Sequence, residues 1–275
     1  MNESASTPTS TTGSEPAHPA ASPPVFPDLA GQSVFVTGGG SGIGAALVEG
    51  FLQQGAHVAF VQRSDAGEFC DRMESRHGSR PLFIRCDITD IGALQSAIGQ
   101  VADVHGPIRV LVNNAANDTR HKTLEVTEAF WNASQAINLR PYFFAAQAVI
   151  PGMQQAGGGS IVNFSSISYM VGNSGYPSYV AANSGITGLT RGLAREFGKD
   201  RIRVNAIAPG WVLTERQKRL WATPEALSAH LARQCIPEHL VEADIVSGVL
   251  FLASSASRMM TGQIMAIDGG VVTTG

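Results

Sequence analysis

Thr37-Gly38-Gly39-Gly40-Ser41-Gly42-Ile43-Gly44 is the segment whose residue types and spacing most directly suggest chemistry. Placed between a strand and a helix, such a run presents unpaired helix N–H groups, on which a dinucleotide pyrophosphate can lie. Gly38 would allow the tight turn, Gly42 would let phosphate approach the backbone, and Gly44 would let the helix pack closely on the strand. Ser41 and Ile43 complete the loop that would touch the cofactor. The bland alternative is a glycine-rich surface turn, which the strand before it and the helix after it disfavour. At the end of the next strand stand Gln62 and Arg63, where a carboxylate would bind the adenosine ribose hydroxyls and favour NAD. With no acid there and a guanidinium alongside, the 2′-phosphate of NADP is the better match, although Asp65 is close enough in sequence to neutralise Arg63.

The elements that must hold these residues follow from hydrophobic patterning. SVFVT (33–37), HVAFVQ (57–62), PLFIRC (81–86), IRVLVNN (108–114), SIVNFS (160–165), RIRVNAIAP (201–209) and GQIMAID (262–268) are short apolar runs rich in β-branched residues. They alternate with helix-compatible segments, among them 127–155 and 177–197, while 210–240 has no firm period. The strands lack in/out alternation, so both their faces are buried, as a parallel sheet between helix layers requires. The expected fold is therefore α/β: a doubly wound parallel sheet of Rossmann type, in a single domain over 28–275.

Composition narrows the partners. The 275 residues carry a net charge of −3, with basic residues scattered along the chain, which argues against nucleic acid or an anionic membrane and for a small-molecule substrate. The three cysteines, Cys70, Cys86 and Cys235, suggest neither a disulfide framework nor a metal site, so a cytoplasmic location is expected. His57, His77, His105, His121, His230 and His239 show no ligand-like grouping, and no metal is expected. Residues 1–27 are mainly Ser, Thr, Pro and Ala, read as a disordered tail with neither the basic nor the apolar region of a signal peptide. No run of eighteen apolar residues suggests a membrane span.

TGGGSGIG, NNAA at 113–116, Asn138, Ser166 and Tyr179 fall in the order of the short-chain dehydrogenase/reductase family, which the chain resembles over about residues 29–270. Ser166 lies 13 positions before Tyr179 and Asn138 lies 41 before it, as that family's pattern requires. The resemblance implies that Tyr179 exchanges a proton with the substrate oxygen while hydride passes to or from a nicotinamide ring. Ser166 would hold the same oxygen, and Asn138 would order a water or a backbone carbonyl in the proton route. Asn113, Asn114, Ala115 and Ala116 would line the cofactor, with Asp87 and Ile88 at its adenine end. Pro209, Gly210, Val212 and Thr214 would complete its site. The resemblance also implies a homotetramer through the helices holding 138–155 and 179–197.

Two residues depart from the family pattern. Ala116 replaces a glycine beside the cofactor. Asn183 stands four residues after Tyr179, where the family has a lysine that lowers the tyrosine pKa and bonds the nicotinamide ribose. Asparagine can still donate to a ribose hydroxyl but carries no charge. With an effective dielectric of ~20 and a separation of ~6 Å, the missing charge is worth about 3 kcal/mol, on the order of two pKa units. Either the enzyme is impaired or works best at alkaline pH, or the chain is a non-catalytic NAD(P)-binding homologue. The intact remainder of the proton apparatus favours the enzyme.

NDTRHK (117–122), TERQKRLW (214–221), TPE (223–225) and QC (234–235) resemble the family's sugar-oxidising branch, D-xylose and L-arabinose 1-dehydrogenases. A sugar pocket needs several polar groups and a stacking face, which Asn117, Arg140, Asn173, Gln217 and Trp211 could provide around Ser166 and Tyr179. The expected reaction is oxidation of an aldose at its anomeric carbon to a lactone. A reductase of another carbonyl, such as a 3-oxoacyl thioester, is the alternative.

Overall fold

A computed structural model describes residues 24–273, so most of the segment read as a disordered tail lies outside the described residues. Seven strands form one parallel sheet in the order β3-β2-β1-β4-β5-β6-β7. They are β1 (Ser33–Thr37), β2 (His57–Gln62), β3 (Leu82–Arg85), β4 (Val110–Asn113), β5 (Gly159–Phe164), β6 (Ile202–Pro209) and β7 (Ile264–Ile267). The chain winds outward from β1 to β3, then crosses to β4 and winds the other way. The strand order therefore reverses between β1 and β4, and a crevice opens there at the carboxyl ends of the strands.

Every residue of β1 and β4 is buried, because helices cover both faces of the sheet. Val34 and Val36 pack into the layer containing α1 (Gly42–Gln53) and α9 (Glu242–Ala253). Phe35, one residue out of phase, packs into the opposite layer with α3 (Ile91–His105), α5 (Arg140–Gln155) and α6 (Pro177–Phe197). The remaining helices are α2 (Gly67–His77), α4 (Glu128–Asn138), α7 (Glu215–Trp221) and α8 (Pro224–Leu231).

Two stretches differ from their expected form. The helical region 127–155 is two helices, broken at Leu139 with φ −134° and ψ −51°. Pro141 accounts for the break, since it has no N–H for the carbonyl four residues earlier and its ring crowds that carbonyl. The aperiodic stretch 210–240 contains α7 and α8, each started by a threonine whose Oγ1 accepts from a backbone N–H in the first turn. Neither helix buries any residue fully, which is why no apolar period marked them.

Candidate active site

The turn after β1 supplies the floor of the crevice. Gly38 has φ +73°, a left-handed conformation that glycine takes without strain. Gly44 has no room for a side chain, since a Cβ would lie 1.9 Å from the Gly38 carbonyl oxygen. The side wall is tied to this floor at the switch point, where Thr37 Oγ1 accepts from the N–H groups of Asn114 (2.9 Å) and Ala115 (3.1 Å). Asn114 Nδ2 donates in turn to the Thr37 and Gly38 carbonyls, at 3.0 and 3.2 Å. The result is a cavity of about 860 Å³ with a bare glycine cradle at its floor, large enough for a dinucleotide and a small substrate.

Most residues expected at a cofactor line this cavity. Gly38, Ser41, Gly42, Ile43 and Gly44 form one end of it, and Arg63, Asp87 and Ile88 lie beside them. Asn114, Ala115 and Ala116 form one wall, while Pro209, Gly210, Val212 and Thr214 form another. Asn113 does not line it. It is buried beside the sheet and donates to Asn163 Oδ1 at 3.0 Å, because it is still in β4 and faces a helix layer. Asp87 is held in a turn by Thr89, whose N–H and hydroxyl both donate to Oδ1, and these bonds keep its carboxyl below the usual range. The acid nearest Arg63 is Asp87, at 3.9 Å, rather than Asp65.

Tyr179 sits in the first turn of α6 and Ser166 just beyond β5, and both line the cavity. Burial pushes the Tyr179 phenol up to about 12, and the nearby Asp118 carboxylate adds to the rise. The polar side chains of Asn183 and Ser166 act in the opposite direction, with no full positive charge to help them. At neutral pH the phenol is therefore protonated and ready to donate, but a poor base.

Asn183 is buried, does not line the cavity, and donates from Nδ2 to the Tyr179 carbonyl at 2.9 Å. Asn138, at the end of α4, is 1% exposed and grips the Asn117 backbone from both sides. Its Oδ1 accepts from Asn117 N at 2.7 Å, and its Nδ2 donates to Asn117 O at 3.0 Å.

Of the residues expected at a sugar, Asn173, Trp211 and Gln217 line the cavity with Ser166 and Tyr179, but Asn117 and Arg140 do not. The Asn117 side chain closes its own turn by accepting from Thr119 N and Oγ1. Arg140 donates to the Thr89 carbonyl at 2.7 Å and lines an apolar groove elsewhere, with Leu139, Phe143, Phe144 and Leu189. Sequence reasoning passed over Asp118, Arg120, Tyr176, Trp221 and His230, which all line the cavity. Asp118 and Arg120 lie inside NDTRHK and Trp221 inside TERQKRLW, but nothing local to those motifs indicates which way they face. Among the described residues no cluster of three metal-ligating side chains occurs, and no helix is long and apolar enough to cross a membrane.

A protein-family profile described as Enoyl-(Acyl carrier protein) reductase matches residues 38–272. The probable galactose dehydrogenase GalD of Rhizobium meliloti is 50% identical over 248 residues, covering 90% of this chain and 97% of that protein. The D-xylose 1-dehydrogenase of Caulobacter vibrioides is 43% identical, covering 90% and 98%. A crystal structure of a Sinorhizobium meliloti protein assigned as a short-chain alcohol dehydrogenase superposes with TM-score 0.85 at 35% identity, over 90% of this chain and 98% of that one.

Proposed function

The chain belongs to the short-chain dehydrogenase/reductase family as an NAD(P)-dependent oxidoreductase acting on CH–OH groups, and we propose that it oxidises an aldose at the anomeric carbon to the lactone. One observation carries this reading: Tyr179 and Ser166 share their cavity with a wall of polar side chains, Asp118, Asn173, Trp211 and Gln217. Such a wall suits a substrate with many hydroxyls, whereas an acyl chain would bring no polar group to the hydrogen-bonded chain Trp211–Gln217–Asp118. The likeness to a probable galactose dehydrogenase and a D-xylose 1-dehydrogenase supports the same choice.

In this reading Ser166 holds the anomeric oxygen by a hydrogen bond, and Tyr179, once ionised, takes its proton. A bound nicotinamide cofactor supplies the acceptor for the hydride leaving the anomeric carbon. Asn138 keeps the loop facing the substrate in place through its two bonds to Asn117. Because Asn183 brings no charge, oxidation runs best at alkaline pH. Arg63, with no carboxylate at position 62 or 63 to bind ribose hydroxyls, supports NADP over NAD. The cytoplasm is the inferred location, and the apolar groove of Leu139, Phe143, Phe144 and Leu189 supports a homotetramer.

A panel of pentoses and hexoses, assayed at high pH with both cofactors, tests the proposal. Reduced cofactor and a lactone product are expected with at least one aldose. No turnover on any aldose, with reduction of a 3-oxoacyl thioester instead, would overturn it.

A further inference from the structure

Three side chains, Trp221, Arg120 and Tyr176, follow one another up to the reacting phenol. The Arg120 guanidinium lies 3.6 Å over the centre of the Tyr176 ring and 5.3 Å from that of Trp221. Tyr176 in turn stacks on Tyr179, with ring centres 5.4 Å apart and planes at 22°. Tyr176 is itself fixed, being 5% exposed and accepting from Asn173 Nδ2 at its hydroxyl, at 3.1 Å. A guanidinium held over a ring face has little freedom in where its N–H fork points. The fork meets no hydrogen-bond acceptor or acid among the described residues, and Arg120 lines the cavity.

Two residues earlier on the same wall, Asp118 is clamped rather than free. Its Oδ2 accepts from Gln217 Nε2 at 2.9 Å, and its Oδ1 lies 3.0 Å from Arg216 Nη1. That ion pair lacks hydrogen-bond geometry, so Oδ1 is buried with an acceptor site still open. The Trp221 Nε1–H is likewise buried without a partner.

We propose that Arg120 and Asp118 together read adjacent ring hydroxyls of the aldose, and that the stack through Tyr176 sets the anomeric carbon against Tyr179. This rests on the aldose reading above. Each sugar hydroxyl is both donor and acceptor, so a fixed fork and a fixed carboxylate side by side complement a vicinal pair. The ring read in this way is neutral, as an aldose is, since the Asp118 charge is already matched by Arg216.

The test measures KM and kcat/KM for wild type, Arg120→Met and Asp118→Asn, on the preferred aldose, on analogues lacking one ring hydroxyl at a time, and on the corresponding uronate. Arg120→Met keeps an apolar side chain in the stack and is expected to raise the aldose KM roughly 10- to 100-fold, with the cofactor KM unchanged. Losing one particular hydroxyl should cost the wild type a similar factor and cost Arg120→Met little. If Arg120→Met does not fold, Asp118→Asn gives the same comparison. An unchanged aldose KM, or an equal deoxy-sugar penalty in wild type and variant, would overturn the assignment to Arg120 while leaving aldose oxidation intact. Preference for the uronate would overturn the neutral-ring assignment. Absence of wild-type turnover on every aldose would instead remove the reading beneath it.

Discussion

With both its amide groups bonded to the backbone of Asn117, Asn138 fixes the start of the loop that carries Asp118 and Arg120. Asn138→Ala would leave that backbone N–H and carbonyl without their partners. Denaturant titration should show a loss of about 1–3 kcal/mol, together with a raised substrate KM. At the other end of the cavity, Arg63→Ala should lower kcat/KM for NADP roughly tenfold or more relative to NAD. Equal losses with both cofactors would remove the case for NADP. The glycine turn, Ser166 and Tyr179 were legible because their spacing is local or follows a family order. Asn113 was misplaced because one residue separates a strand position facing a helix layer from Asn114, which turns to Thr37. Asp118 and Arg120 were not legible as site residues. Asp118 is oriented by Gln217, 99 positions away, and Arg120 by ring faces from α7 and from the residue before α6.

The turn between β1 and α1 is the element on which cofactor binding depends. A methyl at position 44 would be driven into the backbone oxygen of Gly38, which no rotamer change can relieve. Gly44→Ala should therefore weaken cofactor binding roughly tenfold or more and lower thermal stability. Titration calorimetry with NADPH measures the first effect, and unchanged affinity would contradict this account of the turn. The strands were legible because burial on both faces leaves a continuous apolar run. Helices α7 and α8 were not, because they bury no residue fully and so show no periodic stripe, although the threonine before each was a visible start signal. The break at Leu139 was legible in principle from Pro141, but the surrounding helical composition masked it.

At the scale of the molecule, the alternation of strands and helices predicted the parallel sheet, yet not the order of its seven strands. That order depends on which crossovers run to which side, and β1 beside β4 creates the crevice. Exposed Phe143 and its apolar neighbours on α5 and α6 lead to a prediction for assembly. Light scattering should give four times the chain mass, and Phe143→Glu should reduce it, whereas a monomeric wild type would contradict the tetramer. The proposed chemistry depends on one phenol, Tyr179, with the uncharged Asn183 four residues on. Its most direct test is the pH dependence of aldose oxidation by wild type, Asn183→Lys and Tyr179→Phe. The wild-type rate should climb through the alkaline range toward a pKa of about 12, since only the ionised phenol accepts the proton. Asn183→Lys should reach its plateau on the order of two pH units earlier, and Tyr179→Phe should lose turnover. A wild-type plateau at neutral pH that lysine leaves unmoved, or full activity in Tyr179→Phe, would contradict it.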